Sequence, residues 1–256
     1  MPEKKPWIGT SWKMNKTRDQ AREFAGILAS SSVARTGAAK LFVIPPFTSI
    51  ADVAKLLVPT AVRVGAQNMH WAPAGAWTGE ISAAMLLDVG ASLVEIGHSE
   101  RRTHFGETDE MVALKTKTAI ANGLLALVCV GDTRTEYEEG QTAEVLARQV
   151  RFALSGLNAA DRGKIVIAYE PVWSIGEGGV PADPDFAESQ HRGIKDVSES
   201  LFSEPVDVVY GGNVNPDNCV ALVSRAHIDG LFIGRSAWDA YGYIGIIEKV
   251  VGALAD

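Results

Sequence analysis

Lys13, His98 and Glu170 each stand directly behind a short apolar run, and each belongs to a residue type that can handle charge or protons. A carboxylate such as Glu170 can take a proton from carbon, and a histidine such as His98 can donate to a carbonyl oxygen as it gains charge. Lys13 brings the full positive charge that a phosphorylated substrate needs. Ser99 and Glu100 follow His98 immediately, and two later runs end in Gly211-Gly212-Asn213 and Gly234-Arg235. Gly-rich turns of that kind let backbone N–H groups approach an anion closely. A base, an electrophile and a phosphate clamp amount to carbonyl migration through an enediol. Taken singly the same residues have plainer readings: a solvated lysine, a capping or surface glutamate, a structural histidine. Their joint placement at one site is what would give them chemistry.

The elements that must position them are short apolar runs at 7–12, 40–44, 62–65, 92–96, 124–129, 164–169, 206–210 and 231–233. Several are apolar at successive positions, as expected of strands covered on both faces. Between them, 19–29, 107–121, 136–154 and 184–201 carry helical apolar spacing. Alternating strand and helix signals predict parallel βαβ units closed into one (β/α)8 barrel over residues 1–256. In such a barrel the loops after the strands converge on one mouth, and the turns after the last two strands seat phosphate. The rival architecture, an open doubly wound sheet, would use a Gly-rich phosphate fingerprint in its first strand-helix turn. Residues 10–15 lack one.

Bulk composition narrows the function further. The chain has 256 residues, 46% hydrophobic and 21% charged, with a net charge of −7. No run of Lys or Arg makes the footprint that nucleic acid or an anionic membrane requires, so neither partner is expected. The first five residues lead straight into the first apolar run without a signal-peptide pattern. No apolar stretch reaches the roughly 20 residues of a membrane span. Cys129 and Cys219 show no pairing motif, which fits a reducing cytoplasm. The five histidines lack zinc-site spacing. Neither metal nor cofactor is expected.

The segments Trp12-Lys13-Met14-Asn15, GAQNMHW at 65–71, TGEIS at 78–82, GHSERR at 97–102, AYEPVW at 168–173 and YGGNV at 210–214 together resemble the triosephosphate isomerase family, in order and along essentially the whole chain. The resemblance implies that Glu170 is the base, His98 the electrophile and Lys13 the electrostatic partner of a small phosphorylated sugar. This family is the standard example of a glutamate base working with a neutral histidine. It further implies a lid around Gly176 that keeps water from the enediol phosphate. Glu100, and Ser99 beside it, would then support the site from behind, Glu100 by anchoring Lys13. A homodimer is implied as well, joined through the apolar loop 71–78 between Trp71 and Thr78, which would steady Lys13 and His98 of the other copy. In the alternative, Trp71 and Trp77 cover the barrel mouth of their own chain.

The sequence departs from the family's usual pattern close to the implied substrate. Ser11 stands where an Asn is usual, Asn213 where a Ser is, and Arg235 where the last phosphate turn has its second Gly. The lid reads Ser174-Ile175-Gly176-Glu177-Gly178-Gly179-Val180-Pro181 in place of Ala-Ile-Gly-Thr-Gly-Lys. Ser11 is shorter by roughly an amide group and would open space at the carbonyl end, while Arg235 could add a guanidinium to the phosphate seat formed with Gly234 and Asn213. These departures resemble a branch acting on erythrulose phosphates, which implies L-erythrulose 1-phosphate as substrate and D-erythrulose 4-phosphate as product. The alternatives are the triose reaction, dihydroxyacetone phosphate to D-glyceraldehyde 3-phosphate, and a barrel that only binds phosphorylated metabolites. Cys129 reads as a core thiol. Arg101, Arg102 and His104 read as ion-pair or dimer-contact residues.

Overall fold

The computed structural model describes residues 5–176 and 178–255. Its order is β1 (Trp7–Ser11), α1 (Arg18–Ser30), α2 (Val33–Thr36), β2 (Lys40–Ile44), α3 (Ile50–Leu57), β3 (Arg63–Ala66), α4 (Ala83–Asp88), β4 (Leu93–Ile96), α5 (Ser99–Phe105), α6 (Asp109–Ala121) and β5 (Leu125–Val130). There follow α7 (Arg134–Glu138), α8 (Thr142–Ala153), β6 (Ile165–Tyr169), α9 (Pro184–Phe202), β7 (Asp207–Tyr210), α10 (Cys219–Val223), β8 (Gly230–Ile233) and α11 (Ala240–Ala255). The strands pair in parallel with their sequence neighbours, and β8 returns to β1 with Trp7 opposite Gly230, closing a (β/α)8 barrel.

Alternation along the strands divides the apolar residues into two cores. Trp7, Phe42, Ile44, Leu93, Leu125, Leu127, Cys129, Val166, Ala168, Val209 and Phe232 fill the barrel interior. The residues between them face outward into a larger cluster shared with the helices. Gly9 makes the interior possible on β1, because a Cβ there would stand 2.1 Å from the Phe42 ring. This two-sided burial is why the strands read as continuous apolar runs.

Two element readings need correction. The helical spacing at 136–154 is broken into α7 and α8, because Gly140 takes a left-handed backbone (φ 73°) and Thr133 starts α7 with a capping box. The helix expected from 107 begins at Asp109, with Thr108 as its cap. Glu107 lies outside it and is buried beneath the turn after β4. The N-terminal residues 1–4 and Glu177 of the lid lie outside the described residues. No described helix is long and apolar enough to cross a membrane.

Candidate active site

Strand ends build the site. β1 delivers Ser11 and, two residues on, Lys13, whose left-handed backbone (φ 52°) turns the chain away from the barrel. A non-glycine residue in that conformation costs of order 1 kcal/mol and needs support. Gln67, just past β3, supplies it by donating from Nε2 to the Lys13 carbonyl at 2.8 Å, while the Trp238 indole donates to the Ser11 carbonyl at 3.0 Å. Lys13 Nζ meets Glu100 Oε1 at 2.6 Å. Burial works against the ammonium, but Glu170 and then Glu100 outweigh it and hold its pKa above the ordinary lysine value.

The turn after β4 is braced from below. The Gly97 N–H donates to Glu107 at 3.0 Å, and Arg101 and Lys115 reach the other Glu107 oxygen at 2.7 and 2.8 Å. Arg102 donates to the Gly97 carbonyl and pairs with Asp109. Arg101 and Arg102 are thus ion-paired within the chain, and His104 is exposed on α5. This frame sets His98 at the N-terminus of α5, where its Nδ1 accepts from the Glu100 N–H at 3.1 Å. In the neutral ring Nδ1 is therefore the acceptor and Nε2 bears the N–H.

That Nε2 lies 3.4 Å from Glu170 Oε1. Burial opposes charge on His98, whereas the adjoining Glu170 carboxylate favours it and raises the imidazole to about 9 in this arrangement. A ligand seated between the two side chains would separate them. What then remains, burial and the Glu100 N–H aimed at Nδ1, favours the neutral ring donating from Nε2. Glu170 follows β6 and is 4% exposed. Burial would raise its carboxyl, but His98 and Lys13 overcome this and hold it below the usual carboxylate range. Oε2 is buried without a hydrogen-bond partner among the described residues, which leaves it free to take a proton. Gly211 is needed beside it, since a Cβ there would lie 2.8 Å from Glu170 Cγ.

A cavity of about 250 Å³ joins these groups to the later turns; Ser11, Lys13, His98, Glu170, Gly176, Asn213, Gly234 and Arg235 all line it. The short helical turn Arg235–Ala237 begins at its wall, so its first N–H groups face the region where an anion could sit. The Asn213 side chain also bridges two loops: its amide donates to the Gly179 carbonyl at 3.0 Å, tying the loop after β6 to the turn after β7. Ser99 turns elsewhere, to a neighbouring cavity with Arg102 and Cys129. Cys129 is buried in the barrel core; burial, then Glu170 and Glu95, push its thiol far up, so it stays protonated. Among the described residues no group of three or more His, Cys, Asp or Glu is disposed to hold a metal ion.

One residue of the site is not singled out by the sequence reading. Glu95 sits inside β4, two positions after the inward-facing Leu93, and so points into the barrel beneath His98. It is 2% exposed and accepts from the Ser11 hydroxyl at 2.8 Å. Burial pushes its carboxyl up to about 7. The available signal was a charged residue at an inward position of an otherwise apolar strand.

Comparison with known proteins adds an independent line. Residues 6–250 match the family model described as Triosephosphate isomerase. A Rhizobium rhizogenes protein named L-erythrulose-1-phosphate isomerase is 52% identical over 249 residues, 97% of this chain and 95% of that protein. Proteins of the same name from Rhizobium meliloti (53% over 249 residues, 97% and 98% covered) and Brucella abortus biovar 1 (52% over 244 residues, 95% and 95%) are similarly related.

Proposed function

The chain belongs to the triosephosphate isomerase family and is an isomerase acting on a sugar phosphate, and from that premise we propose that it converts L-erythrulose 1-phosphate to D-erythrulose 4-phosphate. Glu170 takes the proton from C3, the carbinol carbon beside the ketone. Lys13 and the Nε2–H of His98 hold the C2 oxygen as it gains charge, and a C2–C3 enediolate forms. The C3 hydroxyl proton passes to the C2 oxygen by way of His98 Nε2, and return of the carbon-bound proton to C2 then leaves a hydroxyl at C2 and the ketone at C3. Viewed from the other end of the chain, that product is D-erythrulose 4-phosphate. Atoms balance without an outside oxidant or reductant. The turns bearing Asn213, Gly234 and Arg235 hold the phosphate, and Gly176 belongs to the lid over it.

The observation that carries this reading is the convergence of Glu170, His98 and Lys13 on one cavity whose far wall bears the short Ser11 side chain. The relatives' names point to the same tetrulose. Steady-state kcat/KM on L-erythrulose 1-phosphate against dihydroxyacetone phosphate tests it. A preference above roughly 100-fold for the tetrulose is expected, more than one methylene in an apolar pocket delivers; a preference for the triose overturns the substrate assignment.

The working form in this proposal is a homodimer joined through the loop 71–78. His70 stacks on Trp71 and Trp77 with ring centroids 4.1 and 4.3 Å away, yet Trp77 remains 49% exposed and Pro73 to Glu80 are all exposed. Neither tryptophan lines the cavity of its own chain. Two buried free thiols and the absence of basic clusters support a cytoplasmic enzyme without nucleic-acid or membrane partners.

A further inference from the structure

Beside the cavity that holds Glu170 lies a second of about 210 Å³, which shares Ser11, Lys13, His98 and Glu100 with it but includes none of the phosphate turns. Glu95 lines the buried inner end of this second space beneath His98, while its exposed outer lining, Met14, Phe47 and Phe105, belongs to the surface that the proposed second copy would cover. One Glu95 oxygen, Oε2, is occupied by the Ser11 hydroxyl. The other, Oε1, stands 3.9 Å from His98 Nε2, beyond hydrogen-bond range, and accepts no hydrogen bond among the described residues. Glu95 is 2% exposed overall, and its Oε1 opens on the cavity, where a hydrogen-bond donor can reach it. Its position is specific: it flanks the histidine that faces the reacting carbonyl, on the side away from the phosphate seat.

We propose that Glu95 is a specificity-determining residue whose Oε1 accepts the terminal hydroxyl of the substrate's hydroxymethyl group. This rests on the tetrulose assignment above. The two candidate substrates differ at that one place: the carbon that loses its proton carries a second hydrogen in the triose phosphate and CH2OH in the tetrulose phosphate. A triose offers no donor to Oε1, whereas the tetrulose brings one. Sites that hydrogen-bond a substrate hydroxyl reject analogues lacking it far more strongly than sites that only make room. The short Ser11 and the buried Glu95 then work as a unit, one clearing space and anchoring the carboxyl, the other reading the hydroxyl.

The test compares kcat/KM for L-erythrulose 1-phosphate and its 4-deoxy analogue, in which CH3 replaces the terminal CH2OH, across wild type, Glu95→Val and Glu95→Gln. The ratio between two substrates does not change if part of a variant is misfolded. Wild type should favour the hydroxylated substrate by roughly 100-fold, and Glu95→Val should shrink that ratio to within about threefold. Glu95→Gln replaces a charged acceptor by a neutral one and should reduce it about fivefold, which carries the test should the valine variant not fold. Unchanged ratios in both variants overturn the proposal. Weakened dimerisation with unchanged ratios would reassign Glu95 to the subunit interface. Failure of the underlying substrate reading is distinct: wild type would then prefer dihydroxyacetone phosphate over both tetruloses.

Discussion

Burial that raises the Glu95 carboxyl to about 7 makes it a measurable burden on the fold. Its folded pKa lies above that of an unfolded glutamate, so the stability associated with it is fully present below about pH 4.5 and is lost as pH rises through 7. A shift of that size corresponds to roughly 3 kcal/mol at pH 8. Glu95→Gln keeps the shape and an acceptor for Ser11 but cannot ionise. Its melting temperature should therefore exceed that of wild type by roughly 5 °C at pH 8 and match it at pH 4.5. Equal differences at both pH values would show that ionisation is not the cause. At this scale Lys13, His98 and Glu170 were legible because each follows a strand, where a barrel gathers its loops. Glu95 was not, because it lies within an apolar strand and gains its meaning from inward alternation and from Ser11, 84 positions away. The tie between Asn213 and the loop after β6 depends in the same way on a contact across the mouth.

Strands were the most readable elements. Each apolar run falls within about a residue of the observed strand, since double-sided burial writes itself directly into composition. Helix boundaries were less so. The apolar stripe at 136–154 continues in sequence across Gly140, but the chain turns there, and local backbone geometry overrides periodicity. Glu107 looks like part of a helix start, yet it is spent on Gly97, Arg101 and Lys115, in a brace that fixes His98 from below. The α5 N-terminus in turn orients the His98 ring, holding Nδ1 as an acceptor and turning Nε2 toward Glu170.

For the whole molecule, closure of the barrel brings residues 13, 98 and 170 to one mouth, and the homodimer proposed above would set a second copy against the apolar surface nearby. Met14, Phe47, Trp77, Met85 and Phe105 are exposed on the turns and helices that follow β1 to β4, an arrangement that marks an interaction surface. Trp77→Glu would place a charge in that interface. On the proposed homodimer, it should give monomers at micromolar concentration in light scattering and lower kcat/KM at least tenfold, because Lys13 and His98 would lose the support proposed from the other copy. A variant that remains dimeric with wild-type activity would remove the loop 71–78 from the interface.

The central claim, proton transfer by Glu170 between adjacent carbons of a sugar phosphate, is tested most directly by following L-erythrulose 1-phosphate by NMR in D2O with wild type and Glu170→Gln. Wild type should yield D-erythrulose 4-phosphate carrying deuterium at its C3, the former ketone carbon, and the variant should be slower by at least about 1,000-fold, having lost its base. Conversion at near wild-type rate by the variant, or product free of deuterium together with no exchange into substrate, would contradict the account.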